Sequence, residues 1–308
     1  MNFLQKIKLV CLLAAVVFFN SSCGGSDTSN EPGETLEEGT IHVSADESFQ
    51  PVIDSQIKVF ESSYPNAKII VHYKPEAECL KDFAVDSIRM VIATRGYTEA
   101  EENFFSDSLK LMPRKMTIAY DAISVIVNPA SSDSMFTMAE IKDLLKGNLK
   151  KSLVPVFDGV KATSTVRFVI DSVLRGDQLG SNVVAARSSE GVIDYVSKNK
   201  DAVGFIGVSW IGNPQDSLQR SFLEKVKVAH IESTDNPGGY VQPYQANIYA
   251  RRYPMVRDLV YTLKERNVGL GKGFANFLSG QRGQLIFRRA FLVPAKLSFN
   301  VRPATLRE

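Results

Sequence analysis

The stretch Val154–Gly176, VPVFDGVKATSTVRFVIDSVLRG, constrains this chain more than any other. VPVF is a short apolar run that favours a strand, and after an eight-residue loop Val166, Val169, Ile170, Val173 and Leu174 recur at helical spacing until Gly176 closes the pattern. Strand, loop and helix follow in that order. The loop ends in Thr163-Ser164-Thr165, whose hydroxyls can cap the helix while several backbone N–H groups at its end lack intrahelical partners. Such an end attracts anions, because the dipole places roughly half a positive charge there and the hydroxyls can donate beside the amides. Capping alone is the plain alternative.

The same order recurs upstream. Ile41–Ser44 reads as a strand, and Phe49, Val52, Ile53, Ile57 and Phe60 mark a helix ending at Tyr64-Pro65. Lys68–Tyr73 is a second strand, Glu76–Val85 a helix, and Arg89–Ala93 a third strand leading into Thr94-Arg95-Gly96. Strands alternating with helices predict a mostly parallel α/β sheet. Met116–Val127 reads as an extended run interrupted only at Tyr120-Asp121, and Thr137 with Glu140 forms a capping box for a helix ending at Gly147. A short helix is expected from Ser188-Ser189-Glu190, a buried strand at Ala202–Trp210, another at Val226–Ile231, and an extended segment at Tyr240–Ala250. Helices are expected near Met255–Arg266, Gly273–Leu278 and Gln281–Phe287, and a last strand at Leu297–Val301.

The first 22 residues are of another kind. Lys6 and Lys8 precede an apolar run from Leu9 to Phe19, which ends in Asn20-Ser21-Ser22-Cys23. That is a secretory signal, too short to span a bilayer as a mature helix. A cysteine after small residues at that point resembles the lipobox of bacterial lipoproteins, with cleavage before Cys23 and lipid on its thiol, although Asn20 stands where that motif has an aliphatic residue. Residues 23–39 are polar and Gly/Pro-containing, which suits a flexible tether. Of the three cysteines, Cys79 alone would remain as a free thiol, so no internal disulfide is expected. Without the two signal lysines, 34 basic residues balance 34 acidic ones, which argues against nucleic acid as a partner. The charge is uneven, since Arg251–Glu308 holds 12 basic residues and 3 acidic ones.

No HExxH, CxxC or Walker A sequence occurs, and Gly207-Val208-Ser209-Trp210-Ile211 lacks the second glycine of a nucleophile elbow. His42, His72 and His230 fall in expected strands without metal-ligand spacing. No catalytic set, metal or cofactor is therefore expected. What remains is a set of strand-to-helix loops: Asp46-Glu47-Ser48, Thr94-Arg95 and Thr163-Ser164-Thr165. In open α/β sheets ligands gather at the carboxyl ends of strands, so these loops can converge on one cleft, where Arg95 would offer an oxyanion a bidentate fork.

The order of these features resembles the PstS-like substrate-binding lipoproteins of bacterial phosphate ABC transporters, a group of the type II periplasmic binding proteins. The likeness spans residues 40–301 and rests on Ile41-His42-Val43-Ser44 with Pro51, Val91-Ile92-Ala93-Thr94-Arg95, Ala162-Thr163-Ser164-Thr165, Ala202-Val203-Gly204-Phe205-Ile206-Gly207, and the run from Tyr253-Pro254 to Val293-Pro294. It implies two α/β lobes, residues 40–119 with 247–301 and residues 120–246, a tail at 302–308, and crossings near Ile118–Ser124 and Gln242–Tyr249. It implies a lipid-anchored monomer, outside the cytoplasm, that hands inorganic phosphate to an ABC permease in the inner membrane. Thr163, Ser164, Thr165, Thr94, Arg95 and Ser48 would donate to the ligand, and Asp46 or Glu47 would accept a phosphate proton while rejecting sulfate. Two features depart from the family: Asp46 and Glu47 lie in the first loop, where two ionised carboxylates oppose a dianion, and the second motif lacks the glycines of Gly-Ser-Gly-Thr. The acidic loop favours a second function, an envelope sensor or adaptor that has lost phosphate or binds another ligand.

Overall fold

Strand β1 (Gly39–Asp46) runs parallel between β2 (Ala67–Lys74) and β3 (Ile88–Ala93) in the computed structural model, which describes residues 34–110, 112–159, 163–265 and 268–297. The chain continues through β4 (Arg114–Val127), β5 (Met135–Phe136), β6 (Val154–Phe157), β7 (Val184–Ala185), β8 (Ala202–Gly207) and β9 (Lys227–Val228). It ends with β10 (His230–Glu232), β11 (Tyr240–Val241), β12 (Val256–Leu263) and β13 (Val293–Pro294). The main sheet runs β2-β1-β3-β12-β4-β8-β6-β7, with β13 and β9 also on β4, while β11-β10-β5 form a small separate sheet.

β4 joins the two halves of this architecture. Its residues up to Ala122 pair antiparallel with β12, and those from Ile123 onward pair with β8 and β9. The result is a two-lobed mixed α/β fold. On one side Ile41, Val43 and Ala45 of β1 pack with Phe49, Ile53 and Phe60 of the turn and helix that follow, all at 1% exposure or less. On the other, Val156 and Ile206 pack with Val192, Ile193 and Val196 of helix Ser189–Lys198. That helix sits close because Gly204 has no side chain: a Cβ there would lie 2.7 Å from Val192 and 2.9 Å from Val196.

Most of the expected elements are present, including both the Thr137–Glu140 capping box and the left-handed Gly147 that ends its helix. Four differ. Residues 256–263 form β12, not a helix: VRDLVYTL is rich in β-branched and aromatic residues, and a place between β3 and β4 outweighs any helical spacing. The segment expected to be extended at Tyr240–Ala250 forms helix Gln245–Tyr249 after β11, so only part of it is strand-like. A helix at Glu99–Leu109 was not anticipated, although Thr98 and Glu101 form a complete capping box at its start. The helix expected near Gly273–Leu278 begins earlier, at Leu270 within the glycine-rich run, its Gly271 and Lys272 N–H groups donating to Glu265. The signal, Cys23, most of the last expected strand and the tail lie outside the described residues.

His42 and His72 face each other from β1 and β2, Nδ1 to Nε2 at 2.9 Å with rings stacked. Cys79 is buried, its thiol 3.4 Å from the Lys74 carbonyl, in keeping with a small core side chain. Among the described residues no group of three or more metal-binding side chains could hold an ion, and no helix is long and apolar enough to cross a membrane.

Candidate functional site

Asp46 ends β1 and caps the single turn Glu47–Phe49, accepting from the Ser48 N–H at 3.0 Å. That turn aims the Ser48 hydroxyl at Ser164, Oγ to Oγ 3.3 Å, while the Ser48 carbonyl accepts from Trp210 Nε1 at 2.9 Å and Ser209 Oγ at 3.3 Å. Thr163 caps helix Ser164–Phe168 by accepting from the Val166 N–H. The first and third predicted loops do meet, with Asp46, Ser48, Thr163, Ser164 and Thr165 all at 2% exposure or less.

At their meeting point stands Arg257, on β12. Its Nη1 donates to Ser164 Oγ at 2.9 Å and Thr165 Oγ1 at 3.3 Å, its Nε donates to Asp121 on β4 at 2.8 Å, and the guanidinium lies 4.9 Å over the Phe49 ring. Gly207 makes room for it, since a Cβ there would lie 3.1 Å from Arg257 Nη2. Asp158, immediately after β6, accepts from Ser189 Oγ at 3.0 Å and is also buried. Among the described residues, four buried atoms here have no hydrogen-bond partner: Arg257 Nη2, Asp46 Oδ2, Asp121 Oδ1 and Asp158 Oδ1. The cluster therefore keeps one unused cationic donor and three unused carboxylate acceptors.

Burial, reinforced by Glu76 and opposed by Arg257, pushes the Asp46 carboxyl up to about 6. Half-buried Glu47 is pushed up to about 7 by burial, then by Asp158, Asp46 and Glu78. Burial also raises Asp121 and Asp158 against the pull of Arg257. The first-loop pair is thus less charged near neutral pH than its composition suggests.

Thr94 belongs to a second group at the rim. Its N–H donates at 2.9 Å, and its hydroxyl also donates, to the Glu76 carboxylate at the start of helix Glu76–Asp82. Arg167 pairs with the same carboxylate through Nε and Nη2, and its Nη2 donates to Thr94 Oγ1 at 2.6 Å. Burial opposes charge on Glu76, but the Arg167 guanidinium and the Thr94 donors outweigh it and hold the carboxyl below its usual range. Arg95 lies beside the second group but hydrogen-bonds with neither. It forks onto Glu101 at 2.8 and 3.0 Å and donates to the Gly96 carbonyl.

Glu76, Asp121, Asp158, Arg167 and Arg257 were not singled out from the sequence. Reading 255–266 as a helix hid Arg257. Asp121 was visible only as an interruption in an apolar run, and that interruption is where β4 passes from β12 to β8. Two cavities flank the rim: one of about 1070 Å³ walled by Leu80, Tyr97, Phe105, Ile170 and Leu179, and one of about 550 Å³ that reaches Arg257 past Thr94 and Lys115. Arg167 lines both.

Two lobes meeting at a buried polar cluster define a binding protein fold. The chain belongs to the PBP superfamily, whose domain model matches residues 30–282. It is 20% identical over 298 residues, covering 90% of this chain and 89% of the relative, to the phosphate-binding protein PstS of Bacillus subtilis. Among solved structures it matches a Clostridium perfringens protein with bound phosphate, described as a phosphate ABC transporter substrate-binding protein, at a TM-score of 0.70 and 20% identity over 84% of this chain and all of that one. An ABC-type phosphate transport receptor from Vibrio cholerae matches at 0.62 and 16% identity, over 83% of this chain and all of that one.

Proposed function

We propose that this chain is an extracytoplasmic solute-binding protein that captures inorganic phosphate between its lobes and delivers it to an ABC permease. It would act without covalent chemistry, as a monomer held to the membrane by lipid on Cys23, with lobes at 40–119 plus 247–301 and at 120–246. The relatives support the class. The observation that carries the ligand is the pairing of leftover atoms in one buried cluster: Arg257 Nη2 is a cationic donor and Asp46 Oδ2 an acceptor, both without partners. Hydrogenphosphate has oxygens for the first and a proton for the second, whereas sulfate has no proton to give. Ser48, Ser164 and Thr165 would add hydroxyl donors, and Arg257 would take the role that the sequence suggested for Arg95.

Isothermal titration of the purified, ligand-free protein with phosphate and then sulfate tests this. Phosphate is expected to bind well above sulfate, more selectively at pH 8 than at pH 6, because only the ionised Asp46 carboxylate accepts the phosphate proton and offers sulfate nothing in return, and to weaken about tenfold or more in Thr165→Ala. No phosphate heat at either pH in a folded protein overturns the reading. The second function, an envelope sensor or adaptor, would then lead. It is favoured by one observation: Ser164 and Thr165 already accept from Arg257, and three buried aspartates surround that one cation.

A further inference from the structure

The donors around Glu76 are the set an oxyanion ligand would need: a backbone N–H and a hydroxyl from Thr94, and two guanidinium nitrogens from Arg167. We propose that Thr94 and Arg167 form an oxyanion subsite which the chain fills with its own Glu76 carboxylate, so that Glu76 competes with any solute anion for the cleft. The inference rests on the reading that the cleft takes an oxyanion.

Three observations carry it. The clasp joins distant parts of the chain: Glu76 follows β2, Thr94 follows β3, and Arg167 lies on the helix that holds Ser164 and Thr165. Exchange is physically open, because the Arg167 side chain is 33% exposed although that of Glu76 is only 2% exposed. Arg167 also lines both the larger and the smaller cavity, so a displaced carboxylate has room on one side and an incoming anion has access on the other. Finally, the clasp and the central cluster are coupled. The Glu76 charge acts on Asp46, so withdrawing it removes a repulsion from the place where phosphate would sit. A carboxylate tethered to the site competes at a high effective concentration, which an outside anion must overcome.

Phosphate titrations of the parent protein, Glu76→Gln, Glu76→Asp and the double variant Glu76→Gln with Arg167→Met separate the possibilities, with thermal unfolding to confirm that each is folded. Glu76→Gln is expected to bind phosphate about tenfold or more tightly than the parent, Glu76→Asp to fall between them, and the double variant to lose the gain. If the parent binds phosphate and Glu76→Gln binds it no better, internal competition is wrong and the phosphate function stands. If only the Glu76 variants bind, competition is right and phosphate is not the parent's working ligand. If no folded variant binds phosphate, both fall.

Discussion

Two arginines hold the hydroxyls of this cleft, Arg257 at its centre and Arg167 at its rim, and each is paired with a buried acid. Arg257 is 4% exposed, and both it and its partner Asp121 keep an atom without a partner. Arg167 is a third exposed, and Glu76 is fully engaged with it and Thr94. The chemistry is the same and the surroundings differ. Removing one member of a dry pair strands the other charge, while at the rim the arginine is open to water even though its acid is buried, so that guanidinium can change partner at smaller cost. The centre is therefore built to stay fixed, and the rim to be exchanged.

The sharpest way to break that contrast is Arg257→Met. It leaves Asp121 buried and unpaired beside Asp46 and Asp158, and should lower stability by about 3–5 kcal/mol in urea unfolding at pH 7.5. A loss below about 1 kcal/mol would mean that these acids are neutral or hydrated, and the centre would then resemble the rim.

Asp46→Asn comes next. The carboxyl of Asp46 titrates higher in the folded than in the unfolded chain, so the folded state holds the extra proton and stability falls as pH rises from about 4 to about 6. Asparagine keeps an acceptor for the Ser48 N–H without that penalty. The variant should be more stable than its parent by up to about 3 kcal/mol at pH 8, with the gain vanishing near pH 4. Equal differences at both pH values would show that Asp46 is not held uncharged by its burial.

Gly207→Ala probes the packing of the same centre. Its new methyl group would press on the Arg257 guanidinium from 3.1 Å, at a cost of about 1–3 kcal/mol, and should weaken phosphate binding as well. Unchanged melting and affinity would mean that the guanidinium is free to move.

The smallest effect is expected of Arg95→Ala. Because Arg95 is engaged by Glu101, phosphate affinity should stay within about twofold and stability should fall by no more than about 1 kcal/mol. A tenfold loss of affinity would place Arg95 in the bound site and Glu101 outside it.

Local chemistry explains why so much of this was legible. The loop hydroxyls Ser48, Thr163, Ser164 and Thr165 could be found because each sits where an apolar strand gives way to a helix, and the structure brings them together. Arg95 could be found but not placed, since its partner Glu101 lies six residues on, in a helix whose capping box passed unnoticed. Arg257 and Asp121 were missed for a different reason. Neither has a local signature, and their separation of 136 positions in the chain is closed only by the pairing of β12 with β4.

The sequence by itself determined the alternation of strands and helices, the helix caps and the hydroxyl-bearing loops, because periodicity and capping act within a few residues of chain. The tertiary structure alone decided that residues 256–263 are a strand, that Arg257 rather than Arg95 faces Ser164, and that Glu76 occupies the Thr94 and Arg167 donors. Those outcomes depend on which buried charge finds which partner across the fold, and the energy of such a pairing exists only once both groups have left water.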